Sequence, residues 1–474
     1  MDIGIISYGA YIPRYRLSGQ TLGTAWQKPP AKGEKAIACF DEDSFTLAVE
    51  SAFAAMEAAP DAHPDSVIFA STTSPYKEKL TSGMLAAVLD LPETARTMDF
   101  TNSMRSGTSA LLNAAERIKG GFSKTSLLAA ADCRTAQPGS DWESFIGDGS
   151  ASLLLGTKNV IARILENLSI SSDFTDIWRK NTDSYINSGD IRFGQEIGYS
   201  RLMESAILEI LKKSGLKQTD FAKVILVPRD PRTHIGLSQK LGFGKTQMQD
   251  DLLNQIGFTG TAHPLVLLCA ALETSAPGDK ILLASYGDGC DVIILEVTNE
   301  IENIRKDKPF QAALSCRKEL ASYTKFLEFR ELLKGQLKIG AEAFTSLIMQ
   351  NREQDIMVQL KARKCPKCLA ILTLRQRVCP LCRASEGFEE TRLSRTGRIF
   401  TYTQEHYNPT PEPPTTMAVV DLDNGGRLLL QMTDTDADKV QIGMPVRLTY
   451  RRMHEAGEFY NYYWKCRGIN VIQK

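Results

Sequence analysis

Cys365-Pro-Lys-Cys368 and Cys379-Pro-Leu-Cys382 are two CxxC knuckles ten residues apart, holding four of the chain's ten cysteines within 18 positions. Four thiolates fill every position of a tetrahedral Zn²⁺, so the spacing predicts a structural zinc ribbon rather than an open, catalytic metal site. The other six cysteines (Cys39, Cys133, Cys269, Cys290, Cys316, Cys466) are scattered, mostly beside apolar or small residues. That is the usage of free, buried thiols in a reducing compartment. No disulfide framework is implied.

The elements that must carry such groups change class near residue 340. Before it, apolar runs at 66–71, 126–131, 151–155, 223–227, 280–285 and 291–297 alternate with amphipathic segments at 44–58, 107–119, 200–214 and 262–274. Strands alternating with helices predict an α/β protein, and strands with little polar alternation predict sheets covered on both faces. An internal echo supports duplication. Gly147-Asp148-Gly149 and Gly287-Asp288-Gly289 each follow an apolar strand and each feed another, about 140 residues apart. After 340, strand-like runs fall at 398–403, 417–421, 427–432, 446–450 and 459–465, with Asp423-Asn424-Gly425-Gly426 as a hairpin turn. The proline-rich stretch 409–414 reads as a loop. A ribbon followed by five antiparallel strands predicts a small OB-type β-barrel.

Composition limits the function. The chain has 474 residues, 56 basic and 56 acidic, for a formal net charge of zero, without the basic excess of a nucleic-acid binder. Hydrophobic residues make up 43%, enough to exclude disorder as the main state. The longest apolar run, 265–272, is well short of the ~18 residues of a spanning helix. The opening Met-Asp-Ile-Gly-Ile-Ile has no signal-peptide character, so the expected location is the cytoplasm.

The segment 4–16 (Gly-Ile-Ile-Ser-Tyr-Gly-Ala-Tyr-Ile-Pro-Arg-Tyr-Arg) closely resembles the opening of archaeal-type 3-hydroxy-3-methylglutaryl-CoA synthases. The likeness continues through Gly33-Glu34-Lys35, Asp41-Glu42-Asp43, the run Asp99 to Thr108, Lys240-Leu241-Gly242-Phe243, Ser285-Tyr286-Gly287 and a helix at 323–333, covering roughly residues 1–335. Residues 350–474 resemble the zinc-ribbon/OB-fold domain that accompanies thiolase-family enzymes and helps hold acyl-CoA. The resemblance implies an α/β thiolase fold of duplicated βαβαββ halves, layered α/β/α/β/α, then the ribbon and the barrel. The expected domains are 1–160, 161–340, 341–390 (linker helix and ribbon) and 391–474.

The resemblance also locates the family's chemistry: an acylated cysteine, an acid/base glutamate and a histidine that binds the acceptor. Those positions carry Met104, Thr72 and Val227 (or Pro228) here, and none of these side chains can do that work. Candidate replacements are Ser103 or Ser106, on the turn entering a buried helix, and His263, at the start of the matching helix of the second half. Weaker candidates are His234, Asp230 and Asp288, with Tyr286 beside an oxyanion-type turn. Three functions follow. The first is a cysteine-independent retro-aldol or Claisen-type lyase acting as a homodimer, by analogy with steroid side-chain aldolases. The second is a silent subunit lending its acyl-CoA-holding domain to a thiolase-fold partner. The third is an enzyme with a relocated thiol, Cys290 or Cys133. Each implies a coenzyme A thioester as ligand, with structural Zn²⁺ in the ribbon.

Overall fold

The computed structural model describes residues 2–305, 308–333, 346–373, 376–407, 410–456 and 458–469. The boundary expected at 340/341 and Pro409 of the expected loop lie outside the described residues. The chain forms two compact units. The first is Met1–Cys39, Asp43–Ala86 and Leu91–Arg330; the second is Phe40–Glu42, Ala87–Asp90 and Glu331–Lys474.

Nine strands of the first unit form one sheet: β1 (Gly4–Tyr11), β2 (Ser66–Ala70), β3 (Arg96–Phe100), β4 (Ser126–Asp132), β5 (Gly149–Gly156), β6 (Ala162–Ser171), β7 (Lys223–Leu226), β8 (Lys280–Tyr286) and β9 (Gly289–Val297). Their order is β7-β8-β9-β6-β1-β5-β4-β2-β3. Each half repeats one pattern. Parallel pairs lie outermost (β3 with β2 and β2 with β4; β7 with β8), and antiparallel hairpins lie inside (β4 with β5, β8 with β9). The short pairing of Gly4 and Ile5 with Arg163 and Ala162 joins the halves.

Four helices complete the duplication: α1 (Ser44–Glu57), α2 (Ser106–Lys119), α3 (Arg201–Ser214) and α4 (His263–Thr274). A capping box between Asp43 and Thr46 starts α1, satisfying backbone donors that would otherwise be orphaned. Alternation along the strands shows the layers. Ile281, Leu283, Ile293 and Leu295 join the core that holds α2 and α4. Leu282, Ala284, Val292 and Ile294 face the other way, onto Ile207 and Ile210 of α3. Helix α1 packs on β1, β5 and β4 of the first half. The order is therefore helix, half-sheet, paired helices, half-sheet, helix. Gly107 lets the central pair approach closely, since a Cβ there would lie 2.3 Å from the Thr261 carbonyl.

The second unit holds a small sheet and a barrel. The small sheet pairs β10 (Lys361–Lys364) with β11 (Ile371–Leu372) and β12 (Glu389–Arg392). The barrel strands are β13 (Thr396–Glu405), β14 (Thr415–Leu422), β15 (Arg427–Gln431), β16 (Pro445–Ala456) and β17 (Phe459–Gly468), in the order β15-β14-β13-β16-β17. A bridge from Met432 to Cys466 closes the ends, as an OB barrel requires. Gly425 takes φ 94° in the expected hairpin turn between β14 and β15. Among the described residues no helix is long and apolar enough to cross a membrane.

Candidate functional site

The first unit contains a cavity of about 820 Å³ where the turn before α2 meets several strand ends. Met104, Thr72, Val227 and Pro228 all line it, so residues up to 156 positions apart share one wall.

Met104 sits immediately before α2, a helix with no side-chain cap of its own. Asp291 of β9, 1% exposed, holds that end instead. It accepts from Arg105 Nη1 at 2.8 Å, Thr108 Oγ1 at 2.9 Å, Ser109 Oγ at 2.8 Å and Ser169 Oγ at 2.7 Å. A carboxylate at a helix N-terminus is favoured by both its hydrogen bonds and the helix dipole. Ser103 Oγ donates to the Gly287 carbonyl at 3.2 Å. A side chain at Gly287 would overlap the Arg105 nitrogen and Met104, so glycine alone fits there.

Thr72 is held by Asp132, at the end of β4 and fully buried. One carboxylate oxygen accepts from Thr72 N at 2.7 Å, Thr72 Oγ1 at 3.1 Å, Ser71 Oγ at 3.0 Å and Thr73 Oγ1 at 3.0 Å. The other accepts from Thr261 N at 2.8 Å and Thr261 Oγ1 at 3.1 Å, just ahead of α4. The hydroxyl at the expected acid/base position thus donates to a buried acid. The Val227 carbonyl accepts from the Tyr199 hydroxyl at 2.8 Å.

Asp176 and Arg229 form a two-pronged ion pair on the cavity wall, with Nε to Oδ2 at 2.7 Å and Nη2 to Oδ1 at 2.5 Å. Tyr286 donates its hydroxyl to Asp176 Oδ2 at 3.2 Å. Burial, with Asp176 beside it, pushes the Tyr286 phenol up, so it stays protonated at neutral pH.

Of the remaining sequence candidates, Asp288 lines this cavity and the others do not. His263 is fully buried and does not line this cavity. Its Nδ1 accepts from Thr259 N at 3.3 Å, and its Nε2 donates to the Asp251 carbonyl at 3.1 Å. Burial lowers it to about 4, so it is neutral at pH 7. His234 Nε2 pairs with Asp251 at 3.1 Å, and Asp230 accepts from Thr233 N at 2.9 Å ahead of a short helix. Ser106 Oγ donates to the Thr101 carbonyl at 3.2 Å. Asp288 lines the cavity, while neither Cys290 nor Cys133 does, and burial pushes both thiols up. Asp132 and Asp291 were not legible as site residues, because their partners lie up to 186 positions away.

In the second unit, the ligand atoms of Cys365, Cys368, Cys379 and Cys382 all lie within 4.8 Å of one another. Two of the sulfur separations are 3.4 and 3.6 Å. Tetrahedral bonds of ~2.3 Å place sulfurs about 3.8 Å apart, so the set fits a four-thiolate metal ion. The residue after each knuckle takes a left-handed backbone, Leu369 with φ 61° and Arg383 with φ 60°. Those turns return the chain so that Leu369 N donates to the Cys365 carbonyl and Arg383 N to that of Cys379, at 3.0 and 2.9 Å.

The nine-stranded sheet and its paired central helices define a thiolase-type fold. A solved hydroxymethylglutaryl-CoA synthase complexed with CoA matches 73% of this chain and 95% of its own, with TM-score 0.64 at 22% identity. A 3-oxoacyl-[acyl-carrier-protein] synthase III from Aquifex aeolicus matches with TM-score 0.56, covering 62% of this chain and 99% of its own at 22% identity. The hydroxymethylglutaryl-CoA synthase of Methanocaldococcus jannaschii is 30% identical over 343 residues, 70% of this chain and 99% of that protein. The Picrophilus torridus synthase is 27% identical over 343 residues, 70% of this chain and 97% of its own. The chain belongs to the hydroxymethylglutaryl-CoA synthase family. Residues 390–451 match the family described as ChsH2, C-terminal OB-fold domain.

The buried state of His263 predicts a pH dependence. Its folded value of about 4 lies below the ordinary 6.5, so the unfolded chain binds a proton that the folded chain refuses. This contribution to stability is full above about pH 6.5 and is lost as pH falls towards 4, by about 3 kcal/mol in all. Urea unfolding of wild type and His263→Gln at pH 7 and pH 4.5 should show a smaller loss in the variant. Equal losses would place the titration elsewhere.

Proposed function

We propose that this chain is a subunit of an acyl-CoA complex that forms or cleaves C–C bonds, its own site silent and its ribbon and barrel unit holding the acyl-CoA. The observation that carries this reading is the cavity wall. The positions that the family resemblance assigns to nucleophile, acid/base and acceptor-binding histidine carry Met104, Thr72 and Val227, all on one cavity. A thioether has no proton to lose and forms no transferable acyl-enzyme, and the Thr72 hydroxyl is committed to Asp132. The related synthase whose title includes CoA supports a coenzyme A thioester as ligand. The alternative, a retro-aldol or Claisen-type lyase acting as a homodimer, needs a base at the cavity. The histidine proposed for that role, His263, has both ring nitrogens occupied away from it. The partner in the preferred reading is a cysteine-bearing thiolase-fold chain, in the cytoplasm, and the ribbon metal is zinc.

Two measurements test this. The native complex, treated with a thiol-reactive acyl-CoA analogue, should carry the label on the partner's cysteine alone. Release of CoA from 3-oxo- or 3-hydroxyacyl-CoA by a homodimer of this chain would overturn the silent-subunit reading. Separately, elemental analysis of protein purified without chelator should find one zinc per chain. Cys368→Ser should lose the metal and become open to protease around 365–392, because a small ribbon draws its folding energy from the ion. Zinc near zero in the wild type would remove the metal from the description.

A further inference from the structure

The four cysteines of the ribbon are not equivalent. Cys365 and Cys379, the first of each CxxC pair, are fully buried, Cys382 is half-buried and Cys368 is exposed. The described residues include all ten cysteines, and among them Cys368 alone is exposed. Across the gap between the knuckles, Cys368 Sγ lies 3.6 Å from Cys379 Sγ, and Cys365 Sγ lies 3.4 Å from Cys382 Sγ. A disulfide spans about 2.05 Å, so either pair closes with a movement of only ~1.5 Å.

The surroundings suit sulfur chemistry. Lys367, Arg377 and Arg383 stand within two residues of a ligand, all three are exposed, and none has an acidic partner among the described residues. An electropositive, partly exposed setting of this kind is where reactive thiolates occur. A metal ligand is already a thiolate, the nucleophilic form of sulfur, so no proton need leave before it reacts. The rest of the ribbon offers little resistance to loss of the ion. Half of its buried core is the sulfur of Cys365 and Cys379, and the left-handed turns at Leu369 and Arg383, with φ 61° and 60°, have little else to hold them.

We propose that the ribbon is a redox-sensitive switch, in which hydrogen peroxide enters at Cys368, bridges it to Cys379 and releases the zinc. This rests on the reading that the ribbon metal is zinc. The Cys368 thiolate attacks one peroxide oxygen and the O–O bond breaks. Cys368 becomes a sulfenic acid, and the hydroxide set free takes a proton to form water. The Cys379 thiolate then attacks the sulfenic sulfur. The S–S bond forms, the S–O bond breaks, and the departing hydroxide is protonated to a second water. The two sulfurs together lose two electrons and one peroxide gains them, while Zn²⁺ leaves with its charge unchanged. Only Cys365 and Cys382 then remain as ligands, too few to close a tetrahedral site. A dithiol reductant reverses the bridge by exchange and lets zinc return.

The test uses the full chain, purified with its zinc, and hydrogen peroxide as the oxidant. Released zinc is followed with a chromogenic chelator, and mass spectrometry of peptides follows the sulfurs. A dione that traps sulfenic acids should label Cys368 before any other cysteine. Without the trap, a Cys368–Cys379 bridge should form as zinc is lost, and dithiothreitol with added zinc should restore the starting state. Cys368→His keeps a four-ligand site but removes the exposed thiolate, so its zinc release should slow at least about tenfold. Cys365→His makes the same change at a buried ligand and should release zinc within about twofold of the wild-type rate. If either histidine variant fails to hold zinc, trapping and mapping of the wild type decide alone. First labelling at another cysteine, a first bridge other than Cys368–Cys379, zinc retained under peroxide, or equal release rates in the two variants would overturn the inference and leave the zinc reading intact. Wild-type protein without zinc would overturn that reading and the inference with it.

Discussion

Two buried carboxylates, crossed between the halves of the first unit, hold the site together. Asp132 belongs to the first half and accepts from Thr261, ahead of the central helix of the second half. Asp291 belongs to the second half and accepts from Arg105, Thr108 and Ser109 at the start of the central helix of the first. Each half therefore supplies the anion that the other half's helix start requires. Neither helix start has a side-chain cap of its own. The positive ends of two helices brought together would repel, and backbone donors there would be orphaned, unless acceptors were buried with them. The same two residues set the cavity wall. Asp132 fixes Thr72, and Asp291 fixes the turn that presents Met104.

Most strands and helices were legible because burial on both faces leaves continuous apolar runs that no exposed segment would carry. The strands at 126–131 and 280–285 extended by only a residue, to Asp132 and Tyr286. Three sheet members escaped, among them the fully buried Gly4–Tyr11, whose glycines, serine and tyrosines interrupt any apolar run. Ala162–Ser171 is mostly half-exposed and carries Arg163 and Glu166, and Arg96–Phe100 is a half-exposed edge strand. Neither needed an apolar run, so periodicity had nothing to find. The helix expected at 323–333 ends at Phe329, and Glu331 takes a positive φ of 55°. At the site, sequence located the wall but not the orientation of the groups on it. His263 begins a central helix as expected, yet its ring is taken up by Thr259 and Asp251. A helix start fixes where a backbone lies; hydrogen-bond partners from other segments decide where its side chain goes.

The ribbon shows the same division. Its CxxC spacing pointed to the four cysteines that the fold brings together, since four thiols so placed have few other uses. Its buried core consists of Cys365, Leu372, Cys379 and Ala384, so half of that core is sulfur that a metal would bind. So small a core cannot by itself repay the chain entropy of ordering the segment or two non-glycine residues held in left-handed backbone. The sequence gives no sign of the left-handed Leu369 and Arg383, because neither residue type favours that conformation. The ribbon imposes it to return the chain over the sulfurs.

The cavity also bears on what kind of silence the proposed subunit has. A site that had lost its chemistry and its ligand together would gain stability by closing. Apolar side chains would fill the space. Here the wall instead keeps an open volume and a paired Asp176–Arg229. On the proposed reading, Met104, Thr72 and Val227 stand where the family resemblance expects the reacting groups, and polar side chains persist around them. If the proposed reading holds, loss confined to the reacting groups with these polar groups retained would be the pattern of a pocket that still binds.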